Sequence, residues 1–282
     1  MTEPLSFDAF TPPEIAKRVE AVGVRKAATD WLSVFVLAVL AGAFIALGAI
    51  FATTVATGSS ELPYGVSRLL MGLSFCLGLV LVVGAGAELF TGNNMLAMAW
   101  ASRKITTRDV LRNWAIVYAG NFVGSLGTAV LVFFTQQHTA SGGAVGITML
   151  SIANGKVQLD FVQAIALGIL CNGLVCLAVW LTFGARSTVD KIAAILFPIS
   201  AFVAAGFEHS VANMYFVPIG LLVKDFDAAF AAGAGLDLDG LTWGSFLLNN
   251  LLPVTIGNII GGTIMVAAIY WFIYLRKAQD RA

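Results

Sequence analysis

The sequence predicts an all-α membrane protein with six transmembrane helices, built as an inverted repeat of three helices plus three. Of its 282 residues, 59% are hydrophobic and 11% are charged, whereas a soluble domain carries about 25% charged residues. The mean hydropathy is +0.88, and long apolar stretches recur along the chain. Such stretches cross a bilayer as helices, because a helix satisfies its backbone groups internally.

The chain divides into one membrane domain and two short ends. We expect a cytoplasmic N-terminal arm with an amphipathic helix over residues 1–30, a single transmembrane domain over 31–275, and a cytoplasmic tail over 276–282. The two repeats are expected at about 31–134 and 161–275. The apolar segments lie at about 31–57, 69–99, 113–134, 161–183, 192–222 and 246–275.

The arm carries its own helix signal. Thr11 stands where an N-cap would stand, two prolines follow in the first turn, and Ile15, Val19 and Val22 share one face. A helix lying along the membrane or over a cytoplasmic opening fits this pattern, as does a solvated anchor.

The basic residues predict the orientation. All 16 lysines and arginines fall outside the six segments, 13 on one side and three, Arg68, Lys156 and Lys224, on the other. Because basic residues collect on the cytoplasmic side, both termini are expected in the cytoplasm of a bacterial inner membrane. No basic stripe suggests a nucleic-acid partner, and the three cysteines have no spacing typical of a metal site.

Two shared patterns reveal an internal repeat. Segments two and five share G-x-E-x-x-x-G/A-N at 86–93 and 206–213, and segments three and six share an asparagine followed by GN-x-x-G, at 113–124 and 250–261. Since the repeated unit has three crossings, the second copy must run upside down.

Segments two and five are too long for simple spans. Each covers about 31 residues, or about 46 Å of helix, against about 30 Å of hydrocarbon. The glycines and asparagines of the shared pattern predict a break in both segments near mid-membrane. In inverted repeats the substrate site lies at such breaks, where freed N–H groups can face an anion.

Each break keeps a carboxylate. Burying one costs about 2.5–3.5 kcal/mol, so Glu88 and Glu208 need partners. We expect both, together with Asn93 and Asn213, to support the breaks by bonding freed backbone N–H groups. The GN-x-x-G pair is expected to serve helix packing.

The two copies of the pattern differ at the narrow polar point that we expect near mid-membrane, which we call the waist. Leu89 corresponds to His209, and Thr91 to Val211. His209 is the histidine expected inside a membrane segment, and it can donate hydrogen bonds or hand a proton to a small anion. Asn172 fits pore lining or interhelical hydrogen bonding equally, and Lys156 fits either an anion-attracting outer mouth or a solvated loop.

The chain resembles the formate/nitrite transporter family over about residues 10–277. The resemblance rests mainly on residues 87–93 and 206–214, and Cys171-Asn172-Gly173 and residues 250–258 support it. The resemblance implies an aquaporin-like homopentamer with one pore in each protomer. It also implies contact between the N-terminal arm and the formate-generating enzyme. The implied waist is Thr91, Asn172 and His209, with Lys156 at the outer vestibule. The implied inner constriction is Leu89, Phe90 and Val175, and the outer one Phe75, Leu79 and Phe202.

The predicted function is therefore formate transport, pH-sensitive through His209, with the substrate and the lipid bilayer as partners and no cofactor or metal. Nitrite, hydrosulfide or another short-chain carboxylate is the alternative cargo. A water or glycerol facilitator is less favoured, because Thr91-Gly92-Asn93 and Val211-Ala212-Asn213 stand where paired Asn-Pro-Ala motifs would. No motif of an intramembrane enzyme is present, so we expect a non-enzyme.

Overall fold

The computed structural model describes residues 9–276, and that part of the chain is helical with no β-strand. The helices are α1 (Pro12–Ala28), α2 (Trp31–Ala56), α3 (Tyr64–Ala85), α4 (Phe90–Asn93), α5 (Ala97–Ala101), α6 (Thr107–Phe134), α7 (Ala144–Val157), α8 (Phe161–Gly184), α9 (Thr188–Ala204), α10 (Ser210–Phe226), α11 (Ala228–Gly233), α12 (Trp243–Ser245), α13 (Leu252–Ile260) and α14 (Ile269–Tyr274). Four 3₁₀ turns lie at Ser59–Glu61, Asn94–Leu96, Gln137–Thr139 and Ser141–Gly143, and π-helical turns lie at Phe246–Leu251 and Gly261–Ala268. The first part of the expected arm and nearly all of the expected tail lie outside the described residues.

Five helices are long and apolar enough to cross a membrane: α2, α3, α6, α8 and the continuous stretch Trp243–Tyr274. The fifth predicted segment is divided between α9 and α10, each of 17 residues. Several helices begin earlier than the apolar stretches, and basic residues predicted outside them lie in helical turns: Arg68, Arg108, Arg112, Lys191 and Lys224. Hydropathy marks the hydrocarbon-matched part of a helix, and charged residues occupy the turns beyond it.

Helix α7 lies between the two predicted repeats, in a stretch where the sequence analysis predicted no helix. The structure buries Met149, Leu150 and Ala153 on one face of this helix, which packs against α10. Lys156 lies in its last turn.

Small residues allow α2 to approach α6, and α8 to approach α13. A Cβ atom at Gly124 would overlap the Val39 carbonyl oxygen, and one at Gly261, the residue directly after α13, would overlap that of Ile169. The same close crossing thus occurs in both halves, which confirms the packing role predicted for the glycines.

The chain leaves helical geometry at residues 86–89 and again at 206–209. Helices α3 and α9 both end at a glycine with left-handed backbone, Gly86 at φ 70° and Gly206 at φ 77°. The next N–H reaches back to the helix, Ala87 to the Val82 carbonyl and Phe207 to the Phe202 carbonyl, each at 2.9 Å. These are Schellman ends, which glycine favours because it lacks a Cβ atom.

Helix α1 begins after Thr11, whose N–H and hydroxyl both donate to the Glu14 carboxylate at 2.7 Å. These two bonds hold the pKa of Glu14 below its usual value, because they favour the charged form. Ile15 and Val19 are buried in a cluster with Trp180 on α8. The arm helix is therefore attached to the helical body by an apolar face.

The α2–α6 crossing yields a stability prediction. Gly124→Ala should lower the thermal unfolding midpoint in detergent, since the new methyl group overlaps backbone and overpacking costs about 1–3 kcal/mol. Gly127→Ala, on the same helix with nothing within 4 Å of its Cβ position, is the control and should be neutral or slightly stabilising. Equal midpoints for the two variants would contradict the close crossing.

Candidate functional site

A buried polar cluster lies at the first break. Lys26 Nζ, from α1, lies 3.1 Å from Glu88 Oε1 and donates to Asn93 Oδ1 at 2.6 Å. Asn93 Nδ2 donates in turn to Glu88 Oε2 at 2.6 Å and to Asn113 Oδ1 at 2.8 Å. The carboxylate therefore has both a cation and an amide partner.

The second break repeats this cluster with equivalent residues. Lys156 Nζ, from α7, donates to Glu208 Oε1 at 2.7 Å. Asn213 Nδ2 donates to Glu208 Oε2 at 2.6 Å and to Asn250 Oδ1 at 2.7 Å. Asn250 Nδ2 completes the cluster by donating to the Lys156 carbonyl oxygen at 2.9 Å. Both buried carboxylates are thus paired, as the cost of burying a charge requires.

The partners of the carboxylates differ from the prediction. Glu88 and Glu208 bind lysine and asparagine side chains, whereas we expected freed backbone N–H groups. Nor is Lys156 a solvated loop lysine, because its side chain is 16% exposed and ion-paired. Lys26 was counted only as a cytoplasmic charge and was missed as a partner.

A signal for both lysines is present in the sequence. Lys26 stands four residues before Asp30 and an aromatic residue, and Lys156 stands four residues before Asp160 and an aromatic residue. The repeats predicted at about 31–134 and 161–275 were aligned on their glycine-rich patterns, and each leaves its lysine a few residues upstream.

Two asparagines satisfy the backbone at the breaks. Asn121 Oδ1 accepts from the Phe90 N–H at 2.9 Å, and its Nδ2 donates to the Ala38 and Glu88 carbonyls. Asn258 does the same in the other half, accepting from the Ser210 N–H at 2.9 Å. Its Nδ2 donates to the carbonyls of Gly168 and Glu208. The packing prediction for GN-x-x-G therefore missed the role of its asparagine.

His209 forms the N-cap of α10. Its Nδ1 accepts a hydrogen bond from the Ala212 N–H at 3.0 Å, so Nδ1 carries no hydrogen. The neutral ring then bears its hydrogen on Nε2, which donates to Thr91 Oγ1 at 3.0 Å. Because that hydroxyl oxygen accepts from His209, its own hydrogen is left to donate elsewhere. The ring also stacks on Phe202 at 5.9 Å.

Asn172 lies beside this pair. Its Nδ2 donates to Asn94 Oδ1 at 2.7 Å and to the Asn258 carbonyl at 2.6 Å, with the Thr91 carbonyl at 3.3 Å. The amide hydrogens are therefore occupied by protein acceptors. Of the two roles left open by the sequence, this geometry favours interhelical bonding that fixes the backbone at Thr91.

Two cavities reach the residues around Thr91 and His209, and no described residue lines both. The first is named the inner cavity, after the side on which the predicted orientation places α1; it has a volume of about 740 Å³ and is lined by Leu79, Glu88 and Leu89 together with basic residues of α1 and of the α8–α9 region. The second, the outer cavity, has a volume of about 240 Å³ and is lined by Phe75, Phe202 and His209. His209 therefore lines the outer cavity, and Gly92, the chain neighbour of Thr91, lines the inner one.

The predicted constriction residues are all buried, but they do not all line the cavities. Phe75 contacts Phe202 edge to face at 5.7 Å. Leu79, expected with these two, lines the inner cavity. Phe90 packs against Tyr118 at 4.9 Å and Trp114 at 6.1 Å. Val175 lies on α8.

The other histidine, His138, lies in the segment between α6 and α7. His138 Nε2 lies 3.1 Å from Asp227 Oδ2, and its ring stacks on Phe133. The hydrogen bond from His138 lowers the pKa of Asp227, because it favours the charged carboxylate. This pair connects that segment to the end of α10.

Comparison with known proteins assigns the chain to a family. The sequence matches the formate/nitrite transporter family over residues 13–272. The chain belongs to the formate/nitrite transporter family. It is therefore a membrane protein.

Among relatives of this formate/nitrite transporter, the formate channel FocA of Escherichia coli (strain K12) is 42% identical over 275 residues, covering 96% of each chain. The probable formate transporter of Methanothermobacter thermautotrophicus is 39% identical over 283 residues, covering 95% of this chain and 98% of the relative. A solved structure described as a pentameric formate channel with formate bound is 44% identical, with a TM-score of 0.82, and covers 87% of this chain and 98% of that one. These relatives are channels and transporters.

His209 and Ser210 are adjacent in the chain, but their contacts are not those of a catalytic base and nucleophile. Both ring nitrogens of His209 are engaged, by Ala212 and Thr91, and the Ser210 hydroxyl has no hydrogen-bond partner among residues 9–276. The histidine is therefore not placed to activate its neighbour as a nucleophile. The same region shows no cluster of His, Cys, Asp or Glu that could hold a metal ion.

The outer cluster of the transporter yields a second prediction. Lys156→Met should lower the free energy of unfolding by about 3–5 kcal/mol, because it leaves Glu208 charged and unpaired in a buried site. The double variant Lys156→Met/Glu208→Gln should recover most of this loss. Unfolding in detergent titrated with SDS measures both values.

The matched control for that cycle is Lys17→Met, which removes an exposed lysine of α1 and should change little. If the single and the double variant were equally stable, the ion pair would not be the stabilising element.

Proposed function

We propose that this chain conducts formate across the bacterial inner membrane, through a pore within each protomer whose narrowest polar point is Thr91 and His209. The observation that carries the proposal is the Thr91–His209 hydrogen bond, because His209 lines one cavity and Gly92, next to Thr91, lines the other. Support comes from relatives that are described as formate channels.

The path runs from the inner cavity past Leu79 and Leu89 to the waist, and leaves past Phe75 and Phe202 into the outer cavity. Six crossings make up the membrane domain, with α3 continued by α4 and α5 as one broken span, and α9 continued by α10 as another. Both termini are cytoplasmic, which places α1 inside and Lys156 outside, in agreement with the distribution of basic residues.

An anion at the waist meets apolar walls, so it needs donors to replace its water. The Thr91 hydroxyl supplies one, because its oxygen already accepts from His209 Nε2 and its hydrogen is free to rotate toward the anion. A hydrogen bond to a charged group contributes about 1.5–3 kcal/mol. This term favours small anions with accessible oxygens, and nitrite shares that shape with formate.

Proton transfer through His209 is limited by the hydrogen bond that its Nδ1 accepts from the Ala212 N–H. If Nε2 gave its hydrogen to formate with nothing on Nδ1, the ring would become an imidazolate. A proton must therefore arrive on Nδ1 first, which breaks the bond from the Ala212 N–H. The resting pore accordingly conducts the anion, and acidic conditions that protonate Nδ1 change both the donor set and the start of α10.

The assembly is a homopentamer, as in the solved relative. Exposed apolar side chains on several membrane helices, such as Leu131 and Phe197, contact lipid or neighbouring protomers. Contact between the N-terminal arm and a formate-generating enzyme stays a prediction. The first eight residues of the arm lie outside the described part of the chain.

The direct test is uptake of labelled formate by proteoliposomes that contain the purified protein. We expect uptake above that of empty vesicles, with nitrite, acetate, lactate and hydrosulfide as competitors and glycerol swelling as the neutral-solute control. His209→Phe should alter the ratio of formate permeability between about pH 7.5 and about pH 5.5, because it removes the ring whose donor set changes when Nδ1 is protonated. No uptake by the wild type would reject the function.

The waist donor has a sharper test in a matched pair. Thr91→Val keeps the shape of the side chain and removes the hydroxyl, so formate permeability should fall about ten- to hundredfold. Thr91→Ser keeps the hydroxyl and should retain most of the permeability. Similar permeability in the valine variant and the wild type would show that the hydroxyl does not bind the passing anion.

A further inference from the structure

The outer cavity is lined by two cations, Lys156 and Arg68, in different electrostatic situations. The Lys156 ammonium is 2.7 Å from Glu208 Oε1, so its charge is balanced where it stands. Arg68, on α3, has no carboxylate within 4 Å among residues 9–276 and is half-buried at the cavity wall. The net positive charge of this cavity therefore resides on Arg68.

Arg68 also binds the end of α9. Its Nη2 donates to the Val203 carbonyl at 2.7 Å, and its Nε donates to the Ala204 carbonyl at 3.0 Å. These oxygens belong to the last turn before the second break, where a helix presents partial negative charge. An anion nearing His209 would be repelled by that helix end, and the guanidinium masks it.

The guanidinium keeps N–H groups for a further acceptor. Two of its five N–H bonds are directed at the α9 carbonyls, and Nη1 meets only the Met71 sulfur, at 3.9 Å, among the described residues. A carboxylate in the outer cavity is the kind of acceptor that the remaining N–H groups suit.

The position related to Arg68 by the repeat is Thr188, which carries no charge. The inner cavity instead has several cations, among them Arg18, Arg25 and Lys191. Loss of one charge therefore matters less on that side than on the outer side.

We propose that Arg68 is the anion-recruiting residue of the outer mouth, acting on formate through a charge that no carboxylate balances, while it also fixes the end of α9 beside the waist. This inference rests on the proposed function and assigns to Arg68 the attraction that the sequence assigned to Lys156. Lys156 then serves mainly to keep Glu208 paired.

The test uses right-side-out membrane vesicles and labelled formate, with wild type, Arg68→Gln, Arg68→Lys and the control Lys224→Gln. Lys224 is another cation of the outer side, but it donates to the Leu238 and Leu241 carbonyls and does not line the outer cavity. Formate permeability is measured at low ionic strength. It is measured again after N-methylglucamine gluconate is raised on one side of the membrane only, with sucrose as the osmotic balance.

At low ionic strength the permeability of Arg68→Gln should be about three- to tenfold below wild type, in both flux directions as a passive conduit requires. Salt added outside should bring the permeability of Arg68→Gln close to that of wild type, because it screens the charge of Arg68. Salt added inside should leave the difference between the two unchanged. Arg68→Lys should restore most of the permeability, and Lys224→Gln should match wild type.

Three results would overturn the inference: wild-type permeability in Arg68→Gln, a loss that salt on the outer side does not reduce, or an equal loss in Arg68→Lys, which would mark a purely structural cap. Failure of the proposed function gives a different result, since wild-type vesicles would then take up no more formate than vesicles without the protein.

Discussion

The buried backbone at residues 87–90 and 208–210, where the chain leaves and re-enters helical geometry, must find hydrogen-bond partners, and much of the structure meets this constraint. A buried N–H or C=O group that is left unsatisfied costs several kcal/mol. Asn121 and Asn258 meet the requirement by accepting one N–H and donating to two carbonyls each. The helices that carry them must therefore lie close to the breaks, which is why glycines line the α2–α6 and α8–α13 crossings.

The paired carboxylates follow from the same requirement. Each asparagine after a break, Asn93 or Asn213, must keep one orientation, and a glutamate fixes it by accepting from the amide nitrogen. A buried glutamate needs a cation, so each half needs a lysine from a helix outside its broken span. Helices α1 and α7 provide Lys26 and Lys156 for this purpose.

The sequence predicted much of this arrangement, because its signals were local. The helical class, the apolar stretches of α2, α3, α6 and α8, and the family could be read from composition and short patterns. Other features depend on contacts between distant positions. The Lys26–Glu88 pair joins residues 62 positions apart, and Asn172 meets Asn94 across 78. Helix α7 escaped prediction because its burial comes from α10, not from its own periodicity.

The two halves differ most in how the helix restarts after its break. In the second half His209 caps α10, which then runs for 17 residues. In the first half Leu89 has no side-chain acceptor to offer, and α4 ends after four residues and passes into a 3₁₀ turn. An uncapped start lacks about 1 kcal/mol of stabilisation that a cap provides. Thr91 therefore lies on the more deformable half, and its hydrogen bond joins it to the firmly held imidazole that caps α10.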